Sequence, residues 1–362
     1  MTAPSARRRG RTAVIAGLGV CLPPRVLTNA QVIGRGGLDT TDAWITSRTG
    51  IHRRHLAGPG TSAGDLATAA ALAAIDATAG RERPDLLVLA TTTPDRPCPA
   101  TAPEVAHRLD LGPIPAFDLA AVCSGFLYAL TTASALLRSG TCRTPLVVAA
   151  EKYSAIVDPL DRDTAPLFGD AAAAVVLRSG HTTEPGAVLD TDWGSDGGGS
   201  TLITVAAGGS RRPDTTDLGR DDRYFRMRGR EVYAHAVRRM TASSGAVLTA
   251  SGWQPHEVRA FIGHQANQRI LDAVADRVGI PPQHRFGNIR DVGNTAGASV
   301  PLALADAVLR GVRPPGAPTL LTAFGGGLTW ASATLLWPDA PVRTAPPQSR
   351  TPLNDHEEVC TP

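Results

Sequence analysis

Cys123, His264 and Asn294 are the residues whose types and settings together could do chemistry. Cys123 lies in Asp118-Leu-Ala-Ala-Val-Cys-Ser-Gly-Phe-Leu-Tyr-Ala-Leu130, where a strand-like run passes into an apolar, small-residue helix. A thiol at that junction meets the unpaired amides and positive dipole end of the helix's first turn. Both stabilise a thiolate, so a lowered pKa and a nucleophilic role are expected. A free cysteine is more often a buried, inert hydrophobe, so the thiol needs partners before it reads as catalytic. Phe261-Ile-Gly-His-Gln-Ala-Asn-Gln-Arg-Ile270 puts His264 at the end of an apolar strand, and Asp291-Val-Gly-Asn-Thr-Ala-Gly-Ala-Ser299 puts Asn294 at the mouth of another helix. Taken singly, the first reads as a hydrogen-bonded core histidine and the second as a cap.

The elements that must position these residues repeat along the chain. Cys123 and Gly140 are 17 positions apart, as are Asn294 and Gly311, the stretches ending in Leu137-Arg-Ser-Gly140 and Leu309-Arg-Gly311. Leu86-Leu-Val-Leu-Ala-Thr91 matches Val258-Arg-Ala-Phe-Ile-Gly263, and Pro145-Leu-Val-Val-Ala149 matches Pro318-Thr-Leu-Leu-Thr322, both at nearly the same offset. Ala171-Ala-Ala-Ala-Val-Val-Leu177 and Trp330-Ala-Ser-Ala-Thr-Leu-Leu336 match at a shorter one. Four matches in one order imply two copies of a strand-helix unit, each contributing part of the site.

Ala120-Ala-Val-Cys-Ser-Gly-Phe126, Leu167-Phe-Gly-Asp170, His264-Gln-Ala-Asn267, Gly293-Asn-Thr295 and Phe324-Gly-Gly-Gly-Leu-Thr-Trp330 resemble the ordered signatures of ketoacyl-acyl-carrier-protein synthase III, thiolase-fold enzymes that start fatty-acid and some polyketide chains. Thr40-Thr-Asp-Ala-Trp-Ile-Thr-Ser-Arg-Thr-Gly50 matches the same branch, and the resemblance runs from about Thr12 to Trp337. It implies an α/β thiolase fold, a duplicated five-layer αβαβα sandwich. The expected division is a flexible basic tail over 1–11, a half carrying the nucleophile over 12–182, a half carrying His264 and Asn294 over 183–338, and a disordered Pro-rich tail over 339–362. Residues 181–230 read as loops between the halves.

Composition agrees with one large body and limits the alternatives. The chain has 362 residues, few aromatics and abundant glycine, which suits closely packed central helices. Lys152 is the only lysine and the net charge is +3, with no basic run interleaved with aromatics, so nucleic-acid binding has little support. Five cysteines without a Cys-x-x-Cys pair point to a reduced, cytoplasmic setting, and no ligand spacing points to a metal. Arg7-Arg-Arg-Gly-Arg11 before an apolar run reads as a loose tail ahead of a first strand rather than a signal peptide, and no segment is apolar enough to span a membrane.

The resemblance implies a decarboxylating Claisen condensation that needs no cofactor beyond its thioester substrates. Cys123 would carry the acyl group of an acyl-CoA, its amide and that of Gly326 would hold the oxyanion, and His264 and Asn294 would donate to the enolate of a malonyl thioester. Aspartate in place of Asn294 would repel that enolate, so the asparagine favours carbon-carbon bond formation. Thr40, Trp44, Arg48, Arg162 and Asn267 match CoA-binding positions, while Arg269 and Arg277 match carrier-docking ones. Arg228, Arg230, Arg238 and Arg239 are further candidates for the acidic carrier protein. Phe168 is expected in the acyl pocket, as is Cys98, where acetyl-selective relatives often carry a phenylalanine reaching across a homodimer interface. The smaller side chain predicts a primer larger than acetyl, and together with the tail and with Ala234 and Asp276, where the family's initiators usually carry carrier-facing lysines, it favours specialised polyketide over fatty-acid synthesis. Acyl transfer to an amine, hydroxyl or carrier thiol without decarboxylation stays open, as does a silent partner subunit, against which Cys123 argues.

Overall fold

The computed structural model describes residues 10–213 and 217–347. Two sheets carry the architecture. One has the order Val342–Thr344, Arg11–Cys21, Ala171–His181, Pro145–Glu151, Leu86–Ala90, Ala116–Leu119, and the other Ala260–Gly263, Pro318–Gly325, Thr329–Leu336, Val188–Ser195. Their ladders correspond: Leu86–Ala90 and Pro145–Glu151 are parallel, as are Ala260–Gly263 and Pro318–Gly325, and the next two pairings in each sheet are antiparallel. Ala116–Leu119 has its counterpart only in an isolated bridge between Phe261 and Arg285.

Strand alternation builds the layers. Along Pro145–Glu151, Val147 and Ala149 face a core shared by both sheets and the helices Gly125–Arg138 and Ser299–Leu309, whereas Leu146, Val148 and Ala150 face the outer helices Ala63–Ala77 and Ala102–Arg108. The second sheet packs its other face on Gly229–Ser251 and Gln268–Val278. Helix, sheet, paired helices, sheet, helix is the five-layer order of the thiolase fold. Close approach explains the small residues: at Gly17 a Cβ would come within 2.6 Å of the Ala74 carbonyl of the outer helix.

Three expectations change in the structure. Val342–Thr344, placed in the disordered tail, pairs in parallel with Leu18–Val20 because the outer edge of the first strand offers free backbone groups. Residues 348–362, like 1–9, lie outside the described residues. Val188–Ser195, placed among the connecting loops, is the fourth strand of the second sheet. The repeat register also differs. Val122 and Ala296, with φ of 46° and 45°, each open a three-residue 3-10 turn that runs straight into a central helix. On that backbone register the counterpart of Cys123 is Gly297, and Asn294 lies just before the turn. The second helix has 11 residues against 14, which restores the match at the closing glycines.

Candidate active site

The two 3-10 turns pack against each other between the sheets, so the starts of both central helices face one site. Cys123 is the middle residue of its turn and enters a mainly apolar cluster with Tyr153, Val157, Phe168, Phe225 and Ala296. Burial pushes its thiol well above the ordinary value, and the nearby Glu151 carboxylate adds to the rise. The lowered pKa expected from the helix end is therefore not what the resting site has. The cysteine sits one turn ahead of the helix proper, and desolvation outweighs the amides. Gly325 lies against it: a Cβ there would approach the Cys123 amide to 2.7 Å. Backbone of the Phe324–Gly327 turn thereby reaches the nucleophile, with Gly326 next in the chain.

His264 ends the strand Ala260–Gly263, its amide bonding to the Thr322 carbonyl at 2.8 Å. It is buried, and burial lowers its pKa to about 3, so the ring is neutral. Its Nδ1 lies 2.6 Å from Ser299 Oγ, which also accepts from the Gln265 amide at 3.3 Å. The bond engages Nδ1 in either tautomer; where the Ser299 hydroxyl is its donor, the hydrogen of the neutral ring sits on Nε2. Asn294 is fixed by its backbone: its amide bonds the Leu167 carbonyl and its carbonyl accepts from Gly169, both at 2.9 Å. Its Oδ1 accepts from the Ala296 amide at 2.9 Å, which leaves Nδ2 as a donor. The core-histidine reading holds as well, whereas the cap reading does not: Thr295 stands at the cap of the turn and Ala298 at that of the helix, and Asn294 closes only a local bond to Ala296.

A cavity of about 590 Å³ runs from the surface to Asn294. Trp44, Arg48, Arg162, Asn267 and Arg269 line it, joined by Arg230 and Tyr233. Arg162 and Arg48 lie 4.8 and 5.8 Å from the Trp44 ring centre. Asn267 caps the helix Gln268–Val278, its Oδ1 accepting from Arg269 at 2.9 Å. Thr40 does not line this cavity; Thr41 caps the Trp44 helix, and Thr40 Oγ1 is buried without a partner. Arg277 is exposed in the last turn of its helix, apart from the cavity lining. Arg239 is committed elsewhere, paired with Asp196 at 3.0 Å and stacked on Trp330.

Phe168 is buried in the Cys123 cluster, stacked on Tyr153 with ring centres 4.5 Å apart. Cys98 is exposed on the single chain, in the loop after Leu86–Ala90. Sequence reasoning missed Tyr153, Phe225 and Glu151. Glu151 is fully enclosed and takes hydrogen bonds from Thr92, Thr93 and the Gly297 amide, yet burial raises it to about 8. Phe225 arrives from the segment read as a linker, its amide bonded to the Ile156 carbonyl at 2.8 Å. Among the described residues, no group of three acidic, histidine or cysteine side chains could hold a metal, and no helix is long and apolar enough to cross a membrane.

Fold and sequence together place this chain among the thiolase-fold acyltransferases. Residues 117–197 match the family described as 3-oxoacyl-[acyl-carrier-protein (ACP)] synthase III, and residues 248–337 match that family's C-terminal part. Beta-ketoacyl-[acyl-carrier-protein] synthase III 2 of Streptomyces coelicolor is 53% identical over 337 residues, 93% of this chain and 97% of the relative. The crystal structure of 3-oxoacyl-(acyl carrier protein) synthase III from Pseudomonas aeruginosa aligns with TM-score 0.83 at 46% identity, covering 91% of this chain and 99% of that one. The priming beta-ketosynthase from the R1128 polyketide pathway aligns with TM-score 0.83 at 33% identity, covering 93% and 100%. The chain belongs to the beta-ketoacyl-acyl-carrier-protein synthase III family.

Proposed function

We propose that this protein condenses an acyl-CoA primer larger than acetyl with a malonyl carrier thioester, by a Cys123-bound intermediate, to start a specialised polyketide chain. Cys123 sulfur attacks the thioester carbon of the primer. The thiol proton leaves with the departing CoA sulfur, so free CoA and an acyl-cysteine result. The amides of Cys123 and Gly326 hold the oxyanion in passing. In the second half-reaction the malonyl group loses CO2, His264 Nε2–H and Asn294 Nδ2–H stabilise the enolate oxygen, and the enolate carbon attacks the acyl-cysteine. Cys123 leaves as sulfur and takes up a proton.

The observation that carries the reading is the pair of anchored neutral amide and imidazole donors. Each has its other polar atom already engaged, so each presents N–H toward an anion without presenting a charge. Trp44 between two guanidiniums suits an adenine and its phosphates, with Asn267 along the pantetheine path. Arg269 at the cavity mouth suits an acidic carrier, with Arg277 further along the same helix. Exposure of Cys98 on one chain suits a place in the pocket of a second copy, which a homodimer would supply. Use of CoA and carrier thioesters suits the cytoplasm.

Intact-protein mass spectrometry after mixing an acyl-CoA panel with malonyl-carrier tests this. The expected result is a beta-ketoacyl-carrier that requires Cys123 and Asn294. Acylated Cys123 with no loss of CO2 would move the assignment to acyl transfer, and preferential labelling by acetyl-CoA would remove the larger primer.

A further inference from the structure

Tyr153 is fully buried, and its ring is held from two sides, stacked on Phe168 at 4.5 Å and edge-on to Phe225 at 5.6 Å. It belongs to the same cluster as Cys123. Its hydroxyl lies near enough to Thr92 and the Cys123 sulfur to interact with both electrostatically, but no acceptor stands at hydrogen-bonding distance and angle, so by geometry the buried oxygen has no partner. Buried phenol hydroxyls normally find a partner, because an unsatisfied one loses its hydration for nothing in return. The Glu151 oxygens are already filled, by the Thr92 amide, the Thr92 hydroxyl at 3.1 Å, the Thr93 hydroxyl and the Gly297 amide, and the Thr92 oxygen, though it keeps lone pairs, does not meet the Tyr153 hydroxyl in bonding geometry. The other side chains around it, Val157, Phe168, Phe225, Ala296, Ile203 and Met227, are not hydrogen-bonding partners of consequence. An orphan donor in an apolar wall, beside the nucleophile, has the form of a recognition group waiting for an acceptor on the substrate.

Covalent geometry limits where that acceptor can be. The thioester carbonyl oxygen of an acyl-cysteine is directed to the backbone amides, so it is not available to Tyr153. A hydroxyl alongside the sulfur reaches the first carbons of the acyl chain and no further. We propose that Tyr153 is a specificity-determining residue that selects a primer bearing an oxygen acceptor on its α or β carbon, a hydroxyacyl or oxoacyl thioester. This deepens the proposed function and rests on its acylation of Cys123 by a primer larger than acetyl, since acetyl has no β carbon. Sites built to hydrogen-bond a substrate group reject the analogue lacking it far more strongly than apolar pockets reject an extra group.

The test follows acylation of Cys123 in the full-length protein by mass shift, using acetyl-CoA, butyryl-CoA, both enantiomers of 2-hydroxybutyryl-CoA and of 3-hydroxybutyryl-CoA, and 3-oxobutyryl-CoA. The wild type should take at least one oxygenated primer about tenfold or more faster than butyryl. Tyr153→Phe, which keeps the stacked ring, should abolish that preference by slowing the oxygenated primer alone. Equal rates for butyryl and its oxygenated analogues in the wild type overturn the proposal while leaving the larger primer intact. Acetyl-CoA outpacing every four-carbon primer overturns the larger primer itself. If Tyr153→Phe slows all primers by one factor and moves the pH at which iodoacetamide alkylates Cys123, the hydroxyl tunes the thiol and the selection is refuted.

Discussion

Replacing Asp158 by Asn should loosen the segment that delivers Phe225 to the cluster around Cys123. Asp158 is buried and takes two hydrogen bonds from Arg220, at 2.6 Å from Nε and 2.5 Å from Nη2, and a third from Arg226 at 3.3 Å. Arg226 reaches on to Asp161 and Asp221. Charge-assisted bonds contribute about 1.5–3 kcal/mol each. Arg220 is half exposed and would rehydrate, so the net loss is smaller than the sum, about 2 kcal/mol. That corresponds to roughly a 30-fold larger population with the segment detached. The assay is hydrogen exchange at the Phe225 amide, which should speed up by about that factor in Asp158→Asn, with a higher KM for acyl-CoA. The arginines hold the Asp158 carboxyl well below its ordinary range. Its contribution is therefore complete above the unfolded value near 4 and fades as pH falls further, so wild type and variant should converge in acid. Unchanged Phe225 protection at neutral pH would refute the reasoning and leave ring packing against Phe168 and Tyr153 as what holds the segment.

Asn294→Asp keeps the acceptor for Ala296 but replaces the donor by an anion, so carbon-carbon bond formation should fall by about 10²–10³ while Cys123 acylation persists, as mass spectrometry of both half-reactions would register. Ser299→Ala leaves His264 Nδ1 unpartnered and should slow decarboxylation about tenfold with little effect on acylation, with Ser299→Thr restoring the rate. Because His264 titrates only near pH 3 in the folded chain, decarboxylation should show no imidazole inflection between about pH 5 and 8. The unfolded chain takes up that proton near 6.5, so this residue makes folding weaken as pH drops below that value, and denaturant midpoints of His264→Gln should fall less steeply there. Trp44→Ala should raise the KM for acyl-CoA about tenfold without changing kcat.

Cys123, His264 and Asn294 were legible because each ends an apolar run in a stretch of small residues, and because the runs recur in one order. Tyr153 was not. It follows an apolar strand with no periodicity of its own, and its direction depends on the turn Tyr153–Ala155 and on Phe225 returning from 72 positions further along. The repeat was visible but its register was set by the closing glycines, whereas the backbone φ of Val122 and Ala296, which no residue type announces, sets the true one. The direction of the Cys123 thiol's pKa escapes the sequence for a related reason. The helix end can be read from sequence, but the desolvation at Cys123 comes from side chains of four distant segments. Val342–Thr344 looked disordered because three residues among prolines carry no pattern, and only the waiting edge of Arg11–Cys21 makes them a strand.

Gly297, standing where its half would place a nucleophile, means that the halves are no longer interchangeable. Its amide serves Glu151 instead, and a side chain there would meet Glu151 Oε1 at 2.9 Å. The chain is in effect a heterodimer translated as one polypeptide, in which, on the proposed mechanism, one member supplies the sulfur and the other the anion donors. Residues 182–187 join Ala171–His181 of the first sheet to Val188–Ser195 of the second, and the chain returns to the first sheet only at Val342–Thr344. A tether that short fixes the local concentration of each member at the millimolar level or above, so assembly of the site is independent of dilution. Cutting within 182–187 would turn a folding step into a binding equilibrium, with activity that rises with protein concentration.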